Sequence, residues 1–270
     1  MTQSSWKNSI AITGAGSGFG AALAHRYASD GWNVAVTDID EQRARQTYSE
    51  LQRTGDASFC MQLDITRQEH WQRLHDSVLR KWGGLELLVN NAGVAAAGNV
   101  EHTSMEDWQW VLDIDLMGVV RGCHQFAAMM KEQKAGHIVN ISSFAGLAGL
   151  PFIAAYGVAK AGVVALSEAL RAEMHPHGVG VTVACPSFVK TGLLETFRSS
   201  HADTRVDTHA KVTRWMETSG VSAQQVADEI AKAVQKNQFL LLTHPQTRMA
   251  WRMKRWFPGR YYKMLTKRSN

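Results

Sequence analysis

A chain of 270 residues, 45% of them hydrophobic, is long enough to bury a substantial core as one large domain. The net charge is +5, but ten of the 29 Lys and Arg and none of the 24 Asp and Glu lie in residues 230–270, so the preceding part is acidic. The basic pI is therefore no argument for nucleic-acid binding by the domain, and no nucleic-acid partner is expected.

Short β-rich runs alternate with segments of helical spacing. The predicted strands are Ser9–Thr13, Asn33–Asp38, Ser58–Asp64, Leu85–Asn90, His137–Ser142, Val181–Cys185 and Phe239–Thr243. Helical spacing is clearest in Ala21–Ser29, Trp71–Lys81 and Gln224–Val234, the last of which follows a capping box formed by Ser222 and Gln225. Seven strands separated by helices predict an α/β fold, with a parallel sheet covered by helices on both faces.

No repeat or low-complexity linker interrupts this alternation, so residues 1–245 are expected to form one domain. Three segments depart from the pattern. Ala145–Ala155 is small and apolar and indicates a loop. Residues 192–220 are a long polar insert, predicted to be a lid over a site. Residues 246–270 form a basic, aromatic tail.

A glycine turn lies directly after the first predicted strand and before an apolar helix. Its sequence is TGAGSGFG at 13–20. Such a turn lets backbone N–H groups approach a pyrophosphate, which the helix N-terminus then favours electrostatically. Taken alone, the motif is also compatible with an ordinary turn. The predicted cofactor contacts here are Gly14, Ser17, Gly18, Phe19 and Gly20.

Asp38 ends the second predicted strand, where an acid can bind the adenosine 2′-hydroxyl and repel a 2′-phosphate. No arginine adjoins Asp38 in sequence, although Arg43 and Arg45 begin the next helix. NAD(H) is therefore the predicted cofactor, with NADP(H) as the alternative. The ends of the third and fourth strands supply the other predicted cofactor contacts: Asp64, Ile65, Asn90, Ala92 and Gly93.

Tyr156 and Lys160 lie four residues apart on one predicted helix face, and Ser143 follows the fifth predicted strand. A neighbouring ammonium and a positive nicotinamide ring are expected to lower the phenol pKa, so that Tyr156 can exchange a proton with an alcohol oxygen. Ser143 would hold that oxygen, and Lys160 would also bind the nicotinamide ribose. By itself the Tyr–Lys pair is compatible with exposed helix neighbours. Its position at the carboxyl ends of the strands predicts a catalytic group.

In their order along the chain, these elements resemble the short-chain dehydrogenases/reductases. The matching residues are TGAGSGFG at 13–20, Asp38, Asp64, NNAG at 90–93, Ser143, YGVAK at 156–160 and PSFVKT at 186–191. The resemblance implies a single-domain Rossmann fold and hydride transfer between an alcohol or carbonyl substrate and a nicotinamide cofactor. It also implies that Val189 and Thr191 lie near the nicotinamide carboxamide. A homodimer or homotetramer built through helices at about 104–132 and 156–174 is the implied assembly.

Two positions depart from the family pattern. Asp115 stands where the family usually has an asparagine that holds a water connected to the lysine, and Ser187 stands where a glycine usually follows the proline. Asp115 is expected to pair with Lys160 through that water and to leave activity intact. The alternative is that its carboxylate over-stabilises the ammonium and slows proton release.

The tail places Met249, Met253 and Trp256 at helical spacing among basic residues. Such a helix can lie on an anionic membrane surface, or it can pack its apolar side on the domain or on a sister subunit. The predicted substrate wall is mostly small or apolar and indicates a lipophilic alcohol or ketone. It comprises Val94–Ala97, Phe144–Ala148, Phe152, Phe188 and residues 193–218.

The leading interpretation is an NAD(H)-dependent oxidoreductase. The alternatives are an NADP(H)-dependent carbonyl reductase of the same family and a catalytically silent dinucleotide-binding sensor or scaffold. Cys60, Cys123 and Cys185 share no metal-like spacing and predict reduced thiols of a cytoplasmic protein without a metal site. The first 13 residues show no signal-peptide pattern, and no apolar run approaches the ~20 residues that span a bilayer.

Overall fold

The computed structural model describes residues 6–51, 55, 57–187, 189, 192–193, 197–199, 214 and 220–267. The strands are β1 (Ser9–Thr13), β2 (Asn33–Asp38), β3 (Phe59–Gln62), β4 (Leu87–Asn90), β5 (Ala96–Ala97), β6 (Gly136–Ile141), β7 (Val179–Ala184), β8 (Arg198–Ser199) and β9 (Leu240–Leu241). The helices are α1 (Gly18–Ser29), α2 (Glu41–Glu50), α3 (Gln68–Trp82), α4 (Met105–Leu112), α5 (Gly118–Gln133), α6 (Phe144–Ala148), α7 (Ala154–Met174), α8 (Ala223–Gln235), α9 (Pro245–Trp256) and α10 (Pro258–Lys267). A π-helical turn, Asp113–Met117, joins α4 to α5.

The main sheet has seven strands in the order β3-β2-β1-β4-β6-β7-β9, and every pairing in it is parallel. This arrangement confirms the predicted α/β fold with a seven-stranded parallel sheet. The strand order reverses between β1 and β4, which is the position at which open parallel sheets bind ligands. The short strands β5 and β8 form a separate two-stranded sheet.

The core lies in two layers, one on each face of the main sheet. Along β1, Ile10 and Ile12 contribute to the layer that packs with α1 and α8, whereas Ala11 contributes to the layer that packs with α3, α5 and α7. The largest side chains of the second layer include the fully buried Trp71 and Phe126. Burial on both faces explains why the strands are continuously apolar rather than alternating.

The structure corrects one sequence-based expectation near the site. Ala145–Ala155 is not wholly a loop, because Phe144–Ala148 forms a short helix whose N-cap is Ser143 and α7 already begins at Ala154. The tail forms two helices that are divided at Pro258, where the sequence has a Pro-Gly break. Proline has no backbone N–H to continue a helix but is favoured at its first turn, so the second helix starts there.

The capping box predicted at Ser222 and Gln225 is present at the start of α8. Most of the predicted lid, 192–220, lies outside the described residues, as do Thr191 and Phe188. Of that insert, Arg198–Ser199 pairs in parallel with Ala96–Ala97. Among the helices that the structure describes, none is long and apolar enough to cross a membrane.

Candidate active site

The glycine turn occupies the space between the ends of β1 and β4. Gly14 and Gly18 have φ angles of 62° and 54°, a region that L side chains rarely adopt. A Cβ atom on Gly14 would come within 2.8 Å of the Ala92 Cα atom. Gly20 packs against the same turn, since its own Cβ would meet the Gly14 carbonyl oxygen. The turn can therefore be built only with glycine at these positions.

Helix α1 begins inside this turn, and its N-cap residue Ser17 makes no side-chain capping hydrogen bond. The first backbone N–H groups of a helix carry a partial positive charge and need acceptors. Gly14, Ser17, Gly18 and Phe19 all line one crevice that runs along the carboxyl ends of the strands. These groups fit the pyrophosphate of a dinucleotide.

The carboxylate of Asp38 lies beside the same turn. Its Oδ2 accepts a hydrogen bond from the Gly16 amide at 2.9 Å, and its Oδ1 accepts one from the Asp40 amide at 3.0 Å. The half-exposed Arg43 guanidinium also lines the crevice, but its Nε lies 3.5 Å from the Asp40 carboxylate. A Cβ on Gly16 would collide with Arg43 Cβ at 2.6 Å and crowd Asp38. In the folded chain, Arg43 is therefore closer to Asp38 than their separation in the sequence suggested.

The residues that follow β3 and β4 reach the crevice unequally. Asp64, Ile65, Ala92 and Gly93 line it. Asn90 does not: its buried amide donates to Asn140 Oδ1 at 2.9 Å, behind the strand end. The adjacent Asn91 does line the crevice.

Asn91 braces the glycine turn from β4. Its side-chain amide donates to the carbonyl oxygens of Thr13, at 2.8 Å, and Gly14, at 3.1 Å. The Thr13 hydroxyl in turn accepts the backbone N–H groups of Asn91 and Ala92. The motif at 90–93 was recognisable in the sequence. Which of Asn90 and Asn91 faces the crevice depended on the pleat of β4.

Ser143, Tyr156 and Lys160 all line the crevice. Ser143 follows β6, and its hydroxyl accepts the Ala145 amide at 3.1 Å. Tyr156 lies in the first turn of α7 and is partly exposed to the crevice, and the Ser143 side chain acts to lower its pKa. Lys160 lies one turn further on, is almost completely buried, and has its Nζ 5.6 Å from the centroid of the Tyr156 ring.

The Lys160 ammonium has two further partners on the chain. It donates to the Ile141 carbonyl oxygen at 3.2 Å, and it lies 3.3 Å from Asp115 Oδ2. The geometry of the second contact is that of an ion pair rather than a directed hydrogen bond, because Oδ2 has no hydrogen-bond partner. The other oxygen, Asp115 Oδ1, accepts the Val94 amide at 2.7 Å. Asp115 therefore pairs with Lys160 directly, and not through a water as expected from the sequence.

The π-helical turn explains how Asp115 reaches this position. The Gly118 amide bonds to the Asp113 carbonyl, five residues back, which is the widened spacing of a π-bulge. Gly93 leaves room for the pair, because a Cβ there would lie 3.2 Å from Asp115 Oδ1 and 3.3 Å from Lys160 Nζ. Such bulges concentrate at functional sites.

Burial and charge act in opposite directions on these three groups. Burial raises the pKa of Tyr156; Lys160 lowers it, Asp115 raises it, and the net direction is upward. Burial tends to lower the pKa of Lys160, but attraction to Asp115 and Tyr156 raises it overall. Burial also raises the pKa of Asp115 against the attraction of Lys160. The predicted lowering of the tyrosine pKa is thus not achieved by Lys160 alone.

The crevice has a volume of about 780 Å³ and a mostly apolar lining. Val94, Ala95, Phe144 and Ala145 line it as predicted. Trp110, Leu150, Ile153 and Leu193 line it too; the first three were not expected, because only the tertiary fold brings them there. Phe152 is exposed and is not one of the lining residues that the structure describes.

Val189 and Ser187 also line the crevice, next to Pro186. Ser187 is the position at which the sequence departs from Pro-Gly, and its side chain is accommodated at the crevice wall. The position of Thr191 lies outside the described residues. Within the described part of the chain, His, Cys, Asp and Glu form no group of three that could hold a metal ion.

Comparison with known proteins gives consistent matches over most of the chain. A family model for "short chain dehydrogenase" matches residues 8–202. The solved structure of a short chain dehydrogenase/reductase from Burkholderia phymatum in complex with NAD superimposes with a TM-score of 0.87 at 32% identity, covering 94% of this chain and 95% of the other.

Two curated relatives are of similar distance. The 3beta-hydroxysteroid dehydrogenase 1 of Eggerthella lenta is 34% identical over 184 residues, which cover 67% of this chain and 70% of that protein. The probable oxidoreductase EphD of Mycobacterium tuberculosis is 32% identical over 254 residues, 92% of this chain. This chain spans only 43% of the length of EphD.

Proposed function

The chain belongs to the short-chain dehydrogenase family of oxidoreductases, and from this premise we propose that it interconverts a lipophilic secondary alcohol and its ketone, or an alcohol and its aldehyde, with NAD(H) as cofactor. The observation that carries the proposal is the position of Ser143, Tyr156 and Lys160 in the crevice that also contains the glycine turn and Asp38. A proton-transfer group and a dinucleotide cradle thus share one cavity.

The glycine turn and Asp38 would hold the dinucleotide, which would supply hydride-transfer chemistry when bound. In the oxidation direction, the Tyr156 phenolate takes the proton of the alcohol oxygen, and in reduction the phenol returns it. Ser143, which lines the same crevice as Tyr156, holds the same oxygen. Lys160 keeps a positive charge beside the phenol, which lowers the cost of forming the phenolate.

The choice of NAD(H) rests on Asp38. Its carboxylate is fixed by two backbone amides at the end of β2, where it would accept a ribose hydroxyl and repel a phosphate. Arg43 is the one argument for NADP(H), but Asp40 engages its guanidinium. The Burkholderia structure with NAD supports the same choice for this chain.

A titration with NADH and NADPH, followed by cofactor fluorescence, tests this choice. We expect the native chain to bind NADH at least about tenfold more tightly than NADPH. Asp38→Ala should narrow this difference in affinity, because it weakens NADH binding and allows NADPH to bind. Asp30→Ala, on the loop after α1, is the matched control and should leave both affinities unchanged. Tighter binding of NADPH by the native chain would contradict the NAD(H) assignment.

The substrate class rests on the apolar lining and on the similarity to the 3beta-hydroxysteroid dehydrogenase 1 of Eggerthella lenta. A panel of secondary alcohols graded in size and polarity, read by NADH absorbance, tests it. We expect kcat/KM to rise from small polar alcohols to bulky apolar ones, sterols included. A preference for sugars or other polyols would overturn the substrate class while leaving the reaction class intact.

A homodimer or homotetramer is the assembly we propose. Met117 and Val158 are large apolar side chains exposed on the helices that the resemblance assigns to the interface. Light scattering of the full chain distinguishes these states from a monomer.

The free thiols of Cys60, Cys123 and Cys185 support a reducing, cytoplasmic environment.

A further inference from the structure

The two C-terminal helices, α9 and α10, have an inner face that is held by the rest of the chain. Tyr261 is buried, and its hydroxyl donates to the Ala148 carbonyl oxygen at 2.8 Å. Lys254 Nζ donates to the Leu147 carbonyl oxygen at 2.6 Å. Trp251 packs against the core layer that contains α7. The helix pair is therefore anchored on α6, the helix that begins at Ser143.

This anchoring uses only part of the apolar surface of the pair. Met249 is 69% exposed, Trp256 72%, Phe257 57% and Tyr262 49%. Met249 and Trp256 are seven residues apart on α9 and so share one helical face. Packing against the domain accounts for the contacts of Trp251 and Tyr261, but it leaves four large apolar or aromatic side chains exposed to water. Clustered exposure of this kind marks a binding surface.

The exposed aromatic side chains lie among cations. Arg252, Arg255, Arg260, Lys263 and Lys267 are all exposed on the two helices. Arg260 lies over the Phe257 ring at 5.6 Å, and Arg255 lies over the Trp251 ring at 5.7 Å. Arg260, Lys263 and Lys267 line a shallow depression on α10. Residues 230–270 contain no acidic residue that could neutralise them.

These positive charges indicate which kind of partner can bind the surface. In a twofold-symmetric dimer the face would meet itself, so that five cations would oppose five cations without a carboxylate from the same segment. An anionic lipid surface offers the opposite charge, and its interfacial region is where Trp, Tyr and Phe side chains are most stable. We propose that the outer face of α9 and α10, defined by Met249, Arg252, Trp256, Phe257 and Lys263, binds a bilayer that contains acidic phospholipids.

Such binding is peripheral. The cations attract the headgroups, and the aromatic side chains enter the boundary between headgroups and acyl chains. The inner face remains on α6, so that only about 10 Å, the thickness of one helix, separates the lipid from the element that follows Ser143. None of the residues that define this surface is among the residues that line the crevice.

Co-sedimentation of the full chain with vesicles tests the proposal. We expect binding to vesicles of phosphatidylcholine and phosphatidylserine in equal parts, weakening as salt is raised, and no binding to phosphatidylcholine alone. Arg252→Glu with Lys263→Glu should lower the partition coefficient at least about thirtyfold. Trp256→Ser with Phe257→Ser should also lower it and should abolish the blue shift of tryptophan emission on binding.

Matched controls separate this surface from a general effect of charge or hydrophobicity. Arg73→Glu with Arg80→Glu removes two exposed cations of α3, and Met105→Ser removes an exposed apolar side chain of α4; both should bind vesicles like the native chain. All variants should keep NADH affinity, which shows that they are folded. Failure of the native chain to bind acidic vesicles, or equal loss in the control variants, would overturn the proposal. A change of oligomeric state in the Trp256→Ser, Phe257→Ser variant without vesicle binding by the native chain would assign the face to a second copy instead.

Discussion

Lys160 is held between a carboxylate and a phenol in a site that excludes most water. Asp115 lies 3.3 Å from the ammonium and Tyr156 presents its ring at 5.6 Å. An asparagine in place of Asp115 could still accept the Val94 amide, since Asp115 Oδ1 needs only an oxygen there. What the carboxylate adds is therefore charge, and that charge raises the pKa of both Lys160 and Tyr156.

Asp115→Asn removes this charge and should shift the pH profile. The pKa of Tyr156 falls, so the phenolate forms at lower pH and the rising limb of alcohol oxidation moves to lower pH. We expect kcat to stay within about tenfold of the native value, because the proton-transfer group itself is intact. Steady-state oxidation rates measured across pH provide the test.

Asp113→Asn is the matched control, because Asp113 lies in the same π-helical turn but pairs with Arg121 at 2.7 Å instead of Lys160. Its profile should coincide with that of the native chain. An Asp115→Asn enzyme that runs orders of magnitude faster would show that the native carboxylate impairs the site. An unmoved profile would contradict the electrostatic role of Asp115.

The requirement for glycine in the turn is tested by a substitution that adds a single Cβ atom at Gly14. Gly14→Ala places a Cβ 2.8 Å from Ala92 Cα and forces an L residue to a φ of 62°, which by itself costs about 1–2 kcal/mol. We expect NADH affinity to fall at least about tenfold, as the backbone shifts away from the cofactor. Gly31→Ala, with a φ of 79° but no atom within 4 Å, carries the backbone cost without the collision and should bind NADH normally. Native-like NADH affinity in Gly14→Ala would contradict this.

At the scale of the element, the pair β6–β7 contains a buried titrating group. His137 Nε2 lies 2.8 Å from Thr182 Oγ1, whose own proton goes to the Gln238 carbonyl, so Nε2 is the donor. Burial lowers the pKa of His137 from 6.5 to about 4. The unfolded chain therefore binds a proton at His137 at a higher pH than the folded chain does. The free energy of unfolding consequently decreases as pH falls from 6.5 towards 4.

His137→Gln removes this titration while keeping a side-chain donor. Between pH 7 and pH 5 the native chain should lose about 2 kcal/mol more of its free energy of unfolding than the variant does. Urea denaturation at the two pH values measures the difference. His177→Gln, at an exposed position, should behave like the native chain. Equal pH dependence of native chain and His137→Gln would refute the assignment.

Elements were predictable to different degrees. Ser9–Thr13 and Asn33–Asp38 agree residue for residue with the sequence prediction, because apolar runs bounded by turn residues mark buried parallel strands. The edge strand Leu240–Leu241 is shorter than predicted, since it pairs on one side with β7. The π-helical turn Asp113–Met117 has no local signature, because its extra residue is stabilised by contacts that only the folded chain makes.

At the scale of the whole molecule, the grouping of the candidate catalytic residues was easier to predict than the shape of the crevice. Motifs that follow strand ends are brought together by any parallel sheet, which is why Ser143, Tyr156 and Lys160 could be grouped without coordinates. Trp110 lies on α4, whose packing sets the direction of that side chain, and Leu150 lies in the connection between α6 and α7. The position of Asn90 behind the strand depended on one step of register. The surface of α9 and α10 was likewise ambiguous until its anchored and exposed sides were separated.

The proton-transfer role of Tyr156 is the claim on which the account depends most, and a single pair of variants tests it. Tyr156→Phe removes one hydroxyl and should lower kcat at least about a hundredfold while NADH affinity changes little. Tyr262→Phe, which removes an exposed hydroxyl on α10, should be indistinguishable from the native chain. Retention of native turnover by Tyr156→Phe, with alcohol as substrate and NAD as acceptor, would contradict the account.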